Sequence, residues 1–562
     1  MHHHLTLRSK LIIMISVMAS MFLVALDQTI IATALGKIVE QFNAFDSLSW
    51  VVTAYLVTTT ITVPIAGKLS DQFGRRIMLL IGVAIFTIGS LSSGLSGNIT
   101  DLIMWRALQG IGGGIITANA FTIIGDLFAA RERGKWQGLI GAVFGLSSVI
   151  GPLLGGWLTD GQHIFGAITD WRWTFFINVP VGIIAFILIS LYSPALRHDN
   201  KPSVDYLGAA ILALGLGTLI LAVDNTASIF AGFLSATGMA VGTLQFIMFS
   251  LVAVLIALFV LVERKAKQPI LPLHFFKNRN FVLIMIVAML FGSAFMGSIL
   301  YLTQFNQQVF GATPTQSGLM LLPMVGGIMV SSIGAGQIIS RIGRYKIFMQ
   351  VGFVVATIAM FLLTLLTPES GYGYEAIIMI ALGLGMGVAM PVINLAVQNE
   401  FEMSELGAAT SLSQLFRSLG STIGTAVFGA MLTAGIVAHL GDIQQSAYLQ
   451  TLSKSPEISK IGSLSDANTI LRINMPDTKS VITSAAEANF AQIPLPARTG
   501  VEQTFKAQQD QFASTVTHAF SYSLQRIFMV AGGLMVVATV GVFALKERVL
   551  RSAKPEETPG EA

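Results

Sequence analysis

Long apolar runs separated by short polar loops organise this chain from end to end. A helix that crosses the hydrocarbon of a bilayer needs about 20 mostly apolar residues. Fourteen such spans are predicted, near 11–33, 50–69, 77–97, 102–124, 136–158, 174–194, 205–223, 240–262, 281–303, 315–337, 347–366, 375–395, 409–436 and 523–545. The stretch from about 437 to 520 breaks the pattern: it is polar and rich in Gln, Ser, Ala and Asp. Connections of that length are functional or loosely structured. Within it, Val501 to Ser521 reads either as an amphipathic helix continuing into the last span or as part of a tolerated surface insertion. The first run is read as an uncleaved span, because Asp27 and Gln28 interrupt its far part and no small-residue cleavage site ends it.

Composition agrees with a lipid-facing surface. Of 562 residues, 53% are hydrophobic and 11% are charged, against about 25% charged in soluble domains. The net charge of +4 does not point to nucleic acid, since the basic residues sit in short loops between apolar runs. With no cysteine, disulfides, thiolate metal sites and cysteine nucleophiles are excluded. His2 to His4 have no other histidine nearby and carry no metal expectation.

Lys and Arg in short loops set orientation. Arg8 and Lys10, Arg75 and Arg76, Arg131, Arg133 and Lys135, and Arg197 and Lys201 fall on one side. Arg264, Lys265, Lys267, Lys277, Arg279, Arg341, Arg344, Lys346, Lys546, Arg548 and Arg551 join them. That side is read as cytoplasmic, with both termini on it and an even number of spans. A loop with Glu400, Glu402 and Glu405 runs against the trend.

An internal repeat follows. Gly67-Lys-Leu-Ser-Asp71-Gln-Phe-Gly74-Arg75-Arg76 comes after the second span, and Gly336-Gln-Ile-Ile-Ser340-Arg-Ile-Gly343-Arg344 after the tenth. If the spans at 205–262 are an insertion, both stretches join helices two and three of a six-helix half. Two such halves are a known transporter plan.

The G-x3-D-x2-G-R-R stretch resembles the signature loop of the major facilitator superfamily. Arg106-Ala-Leu-Gln109-Gly110-Ile-Gly112-Gly113-Gly114 resembles its fourth-helix motif, and Gly145-x5-Gly151-Pro152-x2-Gly155-Gly156 the fifth-helix motif of its antiporters. Trp171-Arg172-Trp173-x-Phe175-x2-Asn178-Val-Pro180-x-Gly182, with Leu26-Asp27-Gln-Thr29-Ile30-Ile31, is similar to the fourteen-helix drug:proton antiporters of the EmrB/QacA type. One departure is Ala34-Leu35-Gly36, where such antiporters usually read Ala-Leu-Pro. The resemblance implies an all-α polytopic membrane protein of the major facilitator fold with 14 transmembrane helices. The expected division is an N-terminal six-helix half at 1–200, an inserted helix pair at 201–265, and a C-terminal six-helix half at 266–562 bearing the 437–520 loop outside.

An acid inside a span is a functional hypothesis by default. Asp27 is one, and the resemblance gives it proton coupling or cation binding; the alternative is a structural hydrogen-bonding residue near the rim. The resemblance makes Arg106 a charge switch that pairs with acids; the alternative is an interfacial arginine reaching water. Gly67, Asp71, Gly74, Arg75 and Arg76 are expected to form a conformational latch, with Asp71 facing a helix N-terminus or an arginine. Gly145, Gly151, Pro152, Gly155 and Gly156 allow close helix packing and a bend, which the resemblance links to exchange rather than leak. Tyr55, Gln109, Asn119, Tyr301, Gln304, Phe305, Asn394 and Arg417 are candidates for the substrate cavity. Asp224 and Glu375 are expected at the solvated outer rim. The later core spans, from 281 onward, show no acid in their middles; the resemblance implies extra intramembrane acids in exporters of divalent organic cations, so neutral or singly charged lipophilic compounds are the expected cargo.

The function read from all this is proton-coupled efflux of neutral or monocationic lipophilic compounds by alternating access. The alternative is a dedicated exporter of a lipid, glycolipid or secondary metabolite. Neither is an enzyme, no cofactor is expected, and no Walker loop suggests ATP drive. Expected partners are membrane lipids, protons and the lipophilic substrate, with no nucleic acid. The protein is expected to be a monomer in the cytoplasmic (inner) membrane, with a periplasmic or lipoprotein partner as an open option.

Overall fold

The computed structural model describes residues 6–42, 48–159, 161–164, 166–193, 205–223, 226–402, 405–438, 446–452, 470, 473–474, 476–490 and 494–550. His2 to His4, Arg197, Lys201, Asp224 and Arg551 lie outside them. Among the described residues, fourteen helices are long and apolar enough to cross a membrane. In hydrocarbon every backbone N–H and C=O needs an internal partner, which a helix supplies within one segment. The helices are α1 (Leu7–Phe42), α2 (Leu48–Phe73), α3 (Arg75–Gly94), α4 (Ile99–Leu127), α5 (Ala130–Thr159) and α6 (Asn178–Tyr192, entered through the turn Trp173–Phe176). Next come α7 (Tyr206–Val223), α8 (Val241–Glu263), α9 (Arg279–Gln308), α10 (Leu322–Ile342), α11 (Lys346–Leu363), α12 (Tyr372–Gln398), α13 (Leu406–Ala438) and α14 (Leu495–Ala544). A two-residue β-hairpin, β1 (His163–Ile164) paired antiparallel with β2 (Ala167–Ile168), links α5 to α6 and was not foreseen from the sequence.

Helices α1–α6 pack as one bundle and α9–α14 as another, with α5 against α10 and α2 against α13 joining the two. The pair α7–α8 leans on α2 and touches α13. Burial separates the centre from the periphery. In its most apolar stretch α4 is 83% buried, whereas α8 is 17% buried. Helix α4 is therefore an axis of its bundle, and α8 presents Phe246, Val254 and Leu261 outward, as a lipid-facing helix does.

Small residues set the spacing between the halves. A Cβ on Gly336 of α10 would sit 2.4 Å from the Gly134 carbonyl oxygen of α5. Further along, Ser332 Oγ donates to the Gly138 carbonyl at 2.8 Å. Gly74 adopts φ 95° where α2 turns into α3, a conformation in which any side chain is strained.

Beyond the opposite face, the described part of 437–520 forms a second apolar core. Tyr448, Leu449, Leu452, Ile470, Ile473 and Ile482 close on Phe505, Phe512 and Val516 of α14. The helix read at 501–521 is real and continuous with the last span: α14 runs for 50 residues. The described part of the insertion is thus packed on this helix. It is also tied to the bundle, with Asn474 Nδ2 donating to Gln308 Oε1 at 3.2 Å and His518 paired with Glu369 at 3.1 Å.

The acidic loop at 400–405 has a local explanation. Glu400 accepts from Asn278 Nδ2 at 2.8 Å and Asn280 Nδ2 at 2.9 Å, and pairs with Arg548 at 3.3 Å. It ties the ends of α9 and α12 to the chain after α14.

Candidate functional site: a buried ion pair and an inter-half latch

Asp27 lies mid-helix in α1, with no exposed surface. Arg106 enters from α4 and is 1% exposed. Its Nη1 meets Asp27 Oδ2 at 2.5 Å, which removes the reading of Arg106 as an interfacial residue reaching water. Three more groups close the cluster. Gln109 Nε2 donates to Asp27 Oδ1 at 2.9 Å, and Gln109 Oε1 accepts from Arg106 Nη1 at 2.8 Å. Asn178, first residue of α6, donates to Asp27 Oδ1 at 3.3 Å and to Ser90 Oγ of α3 at 3.0 Å. Arg106 Nε donates to the Val51 carbonyl at 3.2 Å. Its guanidinium lies 4.4 Å from the Tyr55 ring centroid and 5.7 Å from that of Phe175. Removing both charges from water is costly, and only good pairing with full hydrogen bonding offsets the cost.

The spacing of α4 makes this geometry possible. Arg106, Gln109, Gly110 and Gly113 recur at three and four residues and so share a face. A Cβ on Gly110 would fall 2.5 Å from the Tyr55 carbonyl oxygen, so the glycine lets α2 close on α4 and slide the Tyr55 ring under the guanidinium. Nearby, Thr29 Oγ1 donates to the Ser147 carbonyl at 3.0 Å, and a Cβ on Gly151 would meet that threonine. Gly151 thus seats α1 on α5 one residue before the helix-interior Pro152, which has no N–H to donate. Gly145 faces Ile328 of α10; Gly155 is buried and Gly156 half-buried.

The residues at the end of α2 form a second cluster. Asp71 pairs with Arg75, and Arg75 Nε pairs with Asp126 of α4 at 2.9 Å. Asp71 Oδ2 also accepts the backbone N–H of Ala408 at 3.1 Å, in the first turn of α13 across the interface between halves. Of the two placements expected for Asp71, a helix N-terminus or an arginine, it occupies both. Gly67 and Gly407 give these helices room: a Cβ on Gly67 would meet Ser411, and one on Gly407 would meet Asp71. Arg76 turns away and donates to the Ser190 carbonyl of α6 at 2.5 Å.

The residues read as one substrate cavity divide. Tyr55 and Gln109 belong to the Asp27 cluster. Asn119 is fully buried and donates back to the Ile115 carbonyl. Tyr301 reaches the Thr425 carbonyl at 3.4 Å, Phe305 packs edge-on to Phe310, and Gln304 is half-buried in α9. Asn394 and Arg417 come together through Gln414, whose Nε2 donates to Asn394 Oδ1 at 2.9 Å and whose Oε1 accepts from Arg417 Nη2 at 2.6 Å. Arg417 of α13 points at Phe144 of α5, 5.8 Å from its ring centroid. Among the described residues it makes no ion pair.

Two acids were underread. Asp126 holds Arg75, and its signal in the sequence is an acid ending the fourth span beside a basic loop. Glu375 is not at a solvated rim: it has no exposed surface, and with the Asn306 side-chain amide of α9 turned so that its nitrogen faces the carboxylate, both oxygens accept from it at 2.9 and 3.0 Å. Its position one turn into α12 suggested water; the end of α9 excludes it.

The Major Facilitator Superfamily model matches residues 17–425. The chain is 38% identical over 416 residues to "Multidrug transporter protein MdtP" of Bacillus subtilis (strain 168), covering 74% of each chain. It is 36% identical over 432 residues to "Multidrug resistance protein 3" of the same organism, covering 76% of this chain and 81% of that one. A crystal structure of a double Trp mutant of XylE has the same fold at a TM-score of 0.59 and 14% identity, covering 96% of both chains. With fourteen spans and this match across most of its length, the chain belongs to the major facilitator superfamily and is a multi-pass membrane transporter.

Proposed function

We propose that the protein exports lipophilic compounds, neutral or carrying one positive charge, in exchange for protons. It would work by alternating access in the cytoplasmic membrane, with both termini and the Gly67–Arg76 stretch on the cytoplasmic side. The observation that carries the coupling is the buried Asp27–Arg106 pair. A proton arriving on Asp27 cancels the negative charge, while Arg106 keeps its own. A buried cation stripped of its partner is disfavoured by several kcal/mol, so protonation drives the cluster away from its present geometry. Tyr55 and Phe175 hold the guanidinium, so α1 is the element expected to move. Exchange follows if the open arrangement admits substrate only once the proton has left.

Arg417 sharpens the cargo. A cation without a carboxylate partner between the halves repels cationic groups and donates to carbonyl or ether oxygens. Neutral compounds with such acceptors are the favoured cargo. The names of the two Bacillus subtilis relatives support multidrug efflux. The packed core on α14 favours the second reading, dedicated export of a lipid, glycolipid or secondary metabolite, because it builds a platform where lipophilic cargo leaves the membrane.

The test uses everted vesicles with a respiratory proton gradient reported by a quenched pH dye. Adding neutral and monocationic lipophilic compounds is expected to restore fluorescence with the wild type and not with Asp27→Asn. Equal recovery with both removes Asp27 from coupling. No recovery with any compound moves the assignment to the dedicated exporter.

A further inference from the structure

The foot of the inserted helix pair holds two carboxylates that no part of the Asp27 cluster or the latch uses. Asp205 precedes α7 and caps it, Oδ1 accepting the Gly208 N–H at 2.8 Å. Glu263 is the last residue of α8 and is 3% exposed. Among the described residues, Asp205 Oδ2 and both Glu263 oxygens lack a close hydrogen bond. Two of them lie about one point: a Cβ on Gly208 would be 2.4 Å from Asp205 Oδ2 and 3.0 Å from Glu263 Oε1. The glycine leaves room for the two groups to face each other across the start of α7.

Two ionised carboxylates cannot hold that arrangement in a buried place; like charges at such range force one to take a proton or both to bind a cation. Among the described residues, Lys68 of α2 is the compensating charge acting on Glu263, and the backbone N–H groups of Ile270 and Leu271 hydrogen-bond towards it. One lysine balances one carboxylate, and no second cation is found at this point among the described residues. Three metal-ligating side chains are not gathered at this point among the described residues, which favours a proton over a metal ion.

We infer that Asp205 and Glu263 share one bound proton, forming a protonation site separate from Asp27 at the foot of the inserted pair. The O–H of one carboxyl donates to the other, which relieves the repulsion between them and clamps α7 to α8. The same foot rests on the end of α2, where Gln72 Nε2 donates to Gln268 Oε1 at 2.8 Å. Lys68, the cation acting on Glu263, lies one turn of α2 from Asp71, whose carboxylate bridges the halves. Losing the shared proton would push Asp205 and Glu263 apart and loosen the seat of the pair on α2.

The test is site-resolved carbodiimide labelling of the full-length protein in lipid nanodiscs. Hydrophobic carbodiimides modify protonated carboxyl groups, and peptide mass spectrometry reads Glu263 separately from the exposed Glu547. At neutral pH, Glu263 is expected to label at least about tenfold more than Glu547, the ratio for a one-unit difference in pKa. In Asp205→Asn the neighbouring charge is gone and the amide oxygen still accepts the Gly208 N–H, so the cap survives. Glu263 labelling should then fall severalfold at the same pH. Equal labelling of Glu263 and Glu547, or labelling of Glu263 indifferent to Asp205→Asn, would overturn the inference. Labelling that emerges only after divalent cations are chelated would overturn it in favour of a metal ion. The wild-type measurement needs no variant to fold.

Discussion

At the scale of single residues, the Asp27–Arg106 pair makes a claim about energy that transport assays do not reach. Breaking a buried pair from one side costs about 3–5 kcal/mol, because the surviving charge stays buried without a partner. Removing both charges costs less than the two single losses added together. Asp27→Ala and Arg106→Leu are each expected to lower the heat-unfolding midpoint in detergent micelles, followed by tryptophan fluorescence. The double variant should unfold above the weaker single variant while remaining inactive in the vesicle assay. Additive losses would mean that the two charges are not coupled. Much of this cluster was legible in the sequence, since an acid and a basic residue inside apolar runs stand out against their surroundings. Gln109 and Asn178 were harder to place: each was visible in a motif, but only the crossing of α4 and α6 with α1 shows that both are spent on Asp27. Glu375 failed for the opposite reason. Its position along the chain suggested water, and its burial comes from Asn306, a residue 69 positions away in sequence.

The helices are read by their glycines. In α10, Gly336 and Gly326 look alike in sequence and differ in surroundings: a Cβ on Gly336 meets the Gly134 backbone, and one on Gly326 meets nothing within 4 Å. Gly336→Val should therefore wedge α5 from α10 and abolish vesicle transport. Gly326→Val should stay within about 0.5 kcal/mol of wild type, as substitutions away from packing do. If both variants transport equally well, the α5–α10 contact is not the seam between the halves. The fourteen spans were readable because hydrocarbon demands continuous apolar helices of fixed length. The rise of α14 beyond the membrane was readable only as one of two options, because the residues that stabilise it come from distant stretches. Phe512 is 2% exposed and its ring lies 5.1 Å from that of Tyr448. Phe512→Ala should cost the outer core about 3–5 kcal/mol, seen as faster limited proteolysis within 446–490. The transmembrane bundle should keep its unfolding midpoint, since that core is distinct from the main one.

At the scale of the whole molecule, the question is which contacts hold the two halves closed at the face that carries Asp71. Two acids touch Arg75, and they differ in reach. Asp126 of α4 ties Arg75 within one half. Asp71 ties Arg75 and also caps α13 in the other half. Closure at this face should therefore depend on Asp71 and be far less sensitive to Asp126, although both contribute to the same charge cluster. Losing an N-cap costs about 1 kcal/mol, and changes of 1–2 kcal/mol alter a two-state ratio about 5- to 30-fold. The chain has no cysteine, so spin labels at Glu132→Cys of α5 and Arg344→Cys after α10 report on the separation of the halves without background. Wild type in nanodiscs should show one short distance. Asp71→Ala should add a longer one at several times its wild-type population, and Asp126→Asn should leave the distribution close to wild type. If Asp126→Asn opens this face as far as Asp71→Ala does, the cluster acts through the shape of its own half. If neither variant changes the distances, closure belongs to the glycine-lined contact of α5 with α10, and the charges at the end of α2 serve its local structure.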